Sequence, residues 1–346
     1  MHRREFLAMF AMAGSAVDAA EPEVTGAGAT FPARVYQQWA DQYARDTGFA
    51  IAYKPSGSSA GVKQIVAREV DFGATDVPMS TADLAKHELF QFPTLVGGVV
   101  PVVNLPGLAT SSLRLSGEVM AAIFSGQIVA WKDKAIVALN PGLALPDLRI
   151  TRVVRADGSG TTEVFASYLR QVADGTATPI QSQGGRANWP GVTTAVEGSG
   201  KLVDAVKAAA GSIGYVSSDY VVRERLSAPS LRNKRGEWVA PTLAGYRAAI
   251  VAGGLFKNGL DAAPLIDIDG ASVWPIVTAT YVVVPRSPAS LARAGRALNF
   301  FYRSFLLGDK AVAGTGFAPL PTQTQARIVA SLVGFRTPGG QLVPVL

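Results

Sequence analysis

The chain has 346 residues, 48% of them hydrophobic, and a formal net charge of +6. That length and apolar content allow two domains with real cores and exclude a disordered chain, while the modest positive charge favours anionic partners without naming one. There is no cysteine, and the only histidines are His2 and His87, so disulfides are excluded and zinc sites or histidine-based catalysis have almost nothing to build on.

Residues 1–20 read as an export signal: Arg3 and Arg4 form the charged start, Phe6 to Val17 the apolar stretch, and Val17-Asp18-Ala19 a small-residue cleavage site. Arg3-Arg4-Glu5-Phe6-Leu7 looks like a twin-arginine export motif. With no cysteine for lipid attachment, the expectation is a mature chain, signal removed, free in the periplasm of a two-membrane bacterium. The apolar stretch is too short to span a bilayer, and the later run Leu95–Leu105 is broken by Gly97, Gly98, Pro101 and Asn104.

The turn Gly26-Ala-Gly28-Ala-Thr30-Phe31-Pro32 opens a helix on which Val35, Trp39 and Tyr43 recur every four residues; Pro32 fits its first turn and Gly48 its stop. Phe49–Tyr53 reads as a strand. A second turn, Gly57-Ser58-Ser59-Ala60-Gly61, opens a helix with Val62, Ile65, Val66 and Val70 on one face, and the strand Asp71–Thr75 ends at Asp76. Strand, turn, helix and strand at this spacing indicate an α/β domain with a largely parallel sheet, whose ligands sit at the carboxyl ends of the strands. His87, between Lys86 and Glu88, reads as a surface residue.

A second block follows Pro101–Asn104, with helical and loop segments up to Pro146. The strand Ile150–Arg155 feeds a third turn, Asp157-Gly158-Ser159-Gly160-Thr161, and a helix carrying Val164, Phe165, Tyr168, Leu169 and Val172. Gly198-Ser-Gly200-Lys201 looks like a fourth cradle but lacks nucleotide-loop spacing and reads as a solvated turn before a helix with Leu202, Val203 and Val206. A strand over Ser212–Val216 comes next. The basic run Arg232–Gly236 reads as a solvated hairpin turn, which argues against nucleic acid as a partner. The strand Ile276–Val284 and a helix over Ser290–Leu307 close the chain. Residues 21–102 and 276–346 form one discontinuous domain and 103–275 the other, joined by strand-like crossings near Val99–Asn104 and Trp274–Thr278 that make a hinge.

Each glycine-and-hydroxyl turn is a candidate oxyanion-binding helix start. Unpaired amides and the positive end of the helix dipole point at the turn, and glycine lets an anion approach the backbone. Taken singly, Ser58 and Thr161 read equally well as plain caps, Asp157-Gly158 as an ordinary turn and Asp76 as a turn cap.

Thr25-Gly-Ala-Gly-Ala-Thr-Phe-Pro32, Gly57-Ser-Ser59, Asp71-Phe-Gly-Ala-Thr-Asp76, Phe92-Pro93-Thr94 with Gly97-Gly98-Val99, and Arg155-Ala-Asp-Gly-Ser-Gly-Thr161 stand in the chain in that order. Together they closely resemble the PstS family, the periplasmic phosphate-binding proteins of the bacterial high-affinity phosphate ABC transporter, over nearly the whole chain after the export signal. The resemblance implies a two-domain, type II-like periplasmic-binding-protein fold: in each domain a mostly parallel sheet flanked by helices, with the ligand in the interdomain cleft and two crossover hinge strands. It further implies a monomeric binding protein and not an enzyme, with no cofactor and no metal. Its partners would be inorganic phosphate and the inner-membrane permease subunits with their cytoplasmic ATPase. Carried over position by position, the phosphate ligands fall on Thr30, Phe31, Ser58, Asp76, Arg155, Asp157, Ser159, Gly160 and Thr161, with Phe31 and Gly160 acting through backbone N–H groups.

The chemistry of those residue types agrees. Arg155 offers parallel donors to a tetrahedral oxyanion, and Asp157 two residues on orients it. Asp76 helps only a ligand that still carries a proton, as hydrogen phosphate does and sulfate does not. A binding protein for another oxyanion, such as sulfate or molybdate, is one alternative. A phosphatase built on Asp157-Gly-Ser159 beside Arg155 is another, for which the chain offers no evident base or acidic metal cluster. Two positions depart from the family pattern: Ala60 stands where glycine is frequent, which disfavours a positive φ, and Gly191 directly follows Trp189-Pro190.

Overall fold

The computed structural model describes residues 24–345 apart from 109–111, 174, 176, 178 and 255–263, so the export-signal reading of residues 1–20 lies outside the described residues. Val24–Gly28 (β1) leads through the first turn into Ala33–Thr47 (α1), which buries Val35, Trp39 and Tyr43 as their spacing predicts. Pro32 stands one place before the expected position, as the N-cap, and Gly48 ends the helix at a φ of 79°. Ile51–Lys54 (β2), Ser58–Val66 (α2) and Phe72–Thr75 (β3) follow, with β1 pairing in parallel with both β2 and β3. The helix α2 is shorter than its apolar pattern suggests. The chain turns through Arg68 at a φ of 60°, Val70 falls beyond the helix, and Ile65 alone of the four expected apolar residues is fully buried.

Thr81–Lys86 (α3) ends at a half-buried His87. The apolar run with its glycines and proline belongs to one 16-residue strand, Leu89–Asn104 (β4). The second lobe opens with Arg114–Leu115 (β5), Gly117–Phe124 (α4) and Lys134–Leu139 (α5), then Thr151–Arg155 (β6) and Gly160–Val172 (α6). A small hairpin, Ser182–Gln183 (β7) and Arg186–Ala187 (β8), precedes Thr194–Val196 (β9), Gly198–Ala208 (α7), Ser212–Ser217 (β10) and Ser218–Glu224 (α8). Ser230–Arg232 (β11) and Trp238–Val239 (β12) flank the basic run, which forms the expected hairpin with Arg232 on Glu118 and Arg235 on Asp269. Its Asn233 is buried, against the reading of a wholly solvated turn. Leu243–Gly253 (α9), Leu265–Ile266 (β13), Ile276–Pro285 (β14), Leu291–Val312 (α10) and Thr322–Val333 (α11) complete the order. The helix α10 runs past its expected end at Leu307, and α11 has no counterpart in the sequence reading.

The main sheet runs β2-β1-β3-β14-β4-β10-β6-β9. The short β13 joins it beside β14, and the sheet is parallel except where β14 meets β3, β4 and β13 and where β4 meets β10. The strand β4 changes partners between consecutive residues, since Gly98 pairs with Val277 of β14 and Val99 with Ser217 of β10. Beside this crossing the fully buried Trp274 donates its indole N–H to the Val99 carbonyl at 3.1 Å, so the two expected crossing segments touch. Aromatic rings fill the core behind each half: Tyr36, Phe72, Phe92 and Phe301 in the first lobe, Phe124, Phe165 and Tyr215 in the second. The loop at Trp189-Pro190-Gly191 is pinned by buried Arg152, which donates to the carbonyls of Phe124, Pro190 and Val192 at 2.7, 2.7 and 2.9 Å. Among the described residues no helix is long and apolar enough to cross a membrane.

Candidate anion-binding site

Four helices begin just beyond the carboxyl ends of strands: α1 after β1, α2 after β2, α6 after β6 and α7 after β9. Among the described residues, the amides of Phe31, Ser58, Gly160 and Thr161 make no hydrogen bond within the chain, and each belongs to a helix start whose dipole is positive at that end. Phe31, Ser58, Asp76, Arg155, Ser159 and Thr161 are buried, while Thr30 and Asp157 are half-buried. The required positive φ falls on Gly57, at 95°, and Ala60 lies within α2, so alanine there costs the turn nothing.

The structure brings seven of the nine residues into two groups joined by the charge interaction of Arg155 with Asp76, while Phe31 and Ser159 stand beside them at the starts of α1 and α6. In one, Arg155 reaches across to the Thr30 hydroxyl at 3.3 Å and lies against Asp157. In the other, the Ser58 hydroxyl accepts the Asp76 amide at 3.3 Å, and the Thr161 hydroxyl faces the Asp76 carboxylate at 3.5 Å. Gly160 packs into the second group, against Ser58 and Asp76. A Cβ at that position would stand 2.6 Å from the Ser58 hydroxyl and 2.8 Å from the Asp76 Cβ, so only glycine lets α6 approach α2 this closely. Ser159 is the N-cap of α6, its hydroxyl accepting the Thr162 amide at 3.2 Å.

Arg155 is held from several sides. Its Nε donates to Asp157 Oδ1 at 2.6 Å and its Nη2 to Oδ2, while the Tyr215 hydroxyl accepts its backbone amide at 3.3 Å. The fork towards Asp157 is therefore occupied, and the Nη1 end faces the helix starts. Burial opposes ionisation of Asp157, but the Arg155 fork, its charge and the Gly198 amide outweigh it and hold that carboxyl below the usual carboxylate range. Asp157 thus acts through Arg155.

Asp76 is 1% exposed. Burial pushes its carboxyl up to about 7, against the opposing pull of the Thr280 hydroxyl, the Arg155 charge and the hydroxyls of Thr161 and Ser58. Thr280 donates to Oδ1 at 2.8 Å and Thr278 to the Asp76 carbonyl at 2.7 Å. Two residues apart on β14, these threonines share one face of the strand. Among otherwise apolar strand neighbours that pair of hydroxyls is a readable signal, and the sequence reading missed it.

It also missed Ser199. The fourth cradle is part of the cluster, not a solvated turn: Ser199 is 2% exposed, its hydroxyl lies 2.8 Å from Thr30 Oγ1 and accepts Arg155 Nη1 at 3.0 Å, and Gly198 donates its amide to Asp157 Oδ1 at 3.0 Å. The physical reason is the helix start itself, which places α7's positive end on the Asp157 carboxylate. Lys201, the residue that suggested a nucleotide loop, is exposed. Among the described residues no group of three or more His, Asp or Glu side chains is arranged to hold a metal.

A family model describing a PBP superfamily domain matches residues 13–302. The phosphate-binding protein PstS of Pasteurella multocida is 36% identical over 333 residues, covering 95% of each chain, and that of Xylella fastidiosa strain Temecula1 is 37% identical over 311 residues, covering 89% of this chain and 84% of the relative. A solved structure of a high-affinity periplasmic phosphate-binding protein bound with phosphate superposes with a TM-score of 0.72 at 20% identity, over 93% of this chain and 100% of the other, which shows the shared two-lobed fold. Relatives this similar along nearly their full length establish that the chain belongs to the PstS family of phosphate-binding proteins.

Proposed function

We propose that the cleft between the lobes binds hydrogen phosphate through Thr30, Phe31, Ser58, Asp76, Arg155, Ser159, Gly160 and Thr161, with Asp157 and Ser199 holding Arg155. The observation that carries this reading is a buried carboxyl, Asp76, facing a ring of donors. Arg155, the hydroxyls and the helix-start amides donate to phosphate oxygens, and Asp76 alone accepts, from the remaining P–OH. Sulfate has no such proton, and its lone pairs would meet those of Asp76. The side-chain charges of Arg155 and Asp157 cancel, so neutral donors and the dipoles of α1, α2 and α6 supply most of the attraction.

The relatives' names support phosphate binding; in this reading an exported, periplasmic monomer delivers the bound phosphate to the inner-membrane permease of an ABC transporter. Residues 21–102 with 276–346 and residues 103–275 would be the two bodies that open and close about the β4 and β14 crossings. Binding without turnover fits Ser159, whose hydroxyl is committed to the helix cap. Calorimetric titration of the purified protein should show one phosphate per chain, displaced by arsenate and untouched by sulfate; binding of sulfate as tight as that of phosphate would refute the assignment. Gly160→Ala should weaken phosphate binding about ten- to hundredfold through overpacking of the α2–α6 approach, with little change in the melting temperature of the ligand-free protein. An unchanged affinity would mean that α6 does not close against α2.

A further inference from the structure

The second turn meets the other lobe at points where no anion is needed. Ser59 donates its amide to the Gly158 carbonyl at 3.1 Å and its hydroxyl to the Gly184 carbonyl. Gly184 and Gly185 form the tip of the β7–β8 hairpin, and that tip is braced to the lobe carrying Arg155. Gly185 donates to Glu163 Oε2 at 3.1 Å and accepts the Ser159 amide at 2.9 Å. Ser182 donates to Glu163 Oε1 at 2.6 Å, and Arg170 donates to Ser182 at 2.6 Å and to the Ile180 carbonyl at 3.1 Å. Glu163 lies in the first turn of α6, so the hairpin moves with the helix start that faces the ligand. The fit is tight: a Cβ on Gly158 would stand 2.4 Å from the Ser59 hydroxyl, and one on Gly57 would stand 2.8 Å from Asp157 Oδ2.

We infer that Ser59 and the Gly184 turn form a latch between the lobes, which sets how fast bound phosphate escapes without touching it. Ser59 is a positioning residue in this scheme. Its two hydrogen bonds exist only while the lobes are together, so they stabilise the closed form and leave the encounter of phosphate with the open cleft unaffected. One of those bonds uses the backbone and survives substitution; the hydroxyl bond does not. The inference rests on phosphate binding in the cleft, and its test separates the two ideas.

Full-length protein loaded with radiolabelled inorganic phosphate is chased with unlabelled phosphate, and the release rate is read. Ser59→Ala should release about three- to tenfold faster, the worth of one hydrogen bond, with the association rate within twofold of the parent. Ser59→Thr, which keeps the hydroxyl, should release at the parent rate, and Gly158→Ala, which wedges the contact, should release faster. Release from Ser59→Ala at the parent rate, or from Ser59→Thr as fast as from Ser59→Ala, overturns the latch. Failure of the parent protein to retain labelled phosphate overturns the phosphate reading instead.

Discussion

Replacing Arg155 with alanine should weaken phosphate binding by about 2–5 kcal/mol, or roughly thirty- to four-thousandfold in Kd. Arg155 is 4% exposed and is held within its own lobe by Asp157, Ser199 and the Tyr215 hydroxyl on its backbone. It is therefore pre-oriented before any anion arrives, and little entropy is lost when it donates. Removing it also strips the Asp157 carboxylate of its main partner and leaves a negative charge beside the incoming anion. Arg155→Lys keeps the charge but not the planar fork, and should recover only part of the loss. Titration calorimetry decides the matter: an Arg155→Ala affinity within threefold of the parent would remove the guanidinium from the site.

The turns were legible because their requirements are local. Glycine with Ser or Thr before an apolar four-residue period marks a helix start from sequence alone, and α1, α2 and α6 begin where that chemistry places them. The short β3 ending just before Asp76 and the crossing of β4 also follow from composition and spacing. What the sequence concealed is long-range. Ser199 joins Thr30 across 169 residues of chain, and Thr280 reaches Asp76 across 204; no periodicity within a helix or strand encodes such a meeting. Beyond the early end of α2 at Val66, Arg68 donates back to the Ile65 carbonyl at 3.0 Å and across to the His87 carbonyl at 2.7 Å. Local chemistry thus marked where an anion could be held, and the fold decided which further hydroxyls would orient Arg155 and Asp76.

Asp76→Asn should change selectivity and stability together, because the same buried carboxyl governs both. The amide can donate, so an unprotonated tetrahedral anion no longer meets opposed lone pairs, and discrimination of phosphate over sulfate should fall by a factor on the order of a hundred or more. The stability effect follows from the carboxyl being pushed up to about 7 in the fold from an ordinary 3.8. Between those values the native state binds more protons than the unfolded chain, so stability falls as pH rises from about 4 to 7 and is flat above. Holding Asp76 ionised at pH 8 costs on the order of 4 kcal/mol by that displacement. The variant is relieved of this cost and should melt several degrees higher than the parent at pH 8 without ligand, with the difference vanishing towards pH 4. Asp219, which burial likewise pushes up to about 7, is present in both proteins and drops out of the comparison. Thermal melts from pH 4 to 8, paired with phosphate and sulfate titrations, read both effects. Equal melting temperatures at pH 8 together with intact sulfate rejection would show that the Asp76 carboxyl is neither strained by its burial nor the group that senses the ligand's proton.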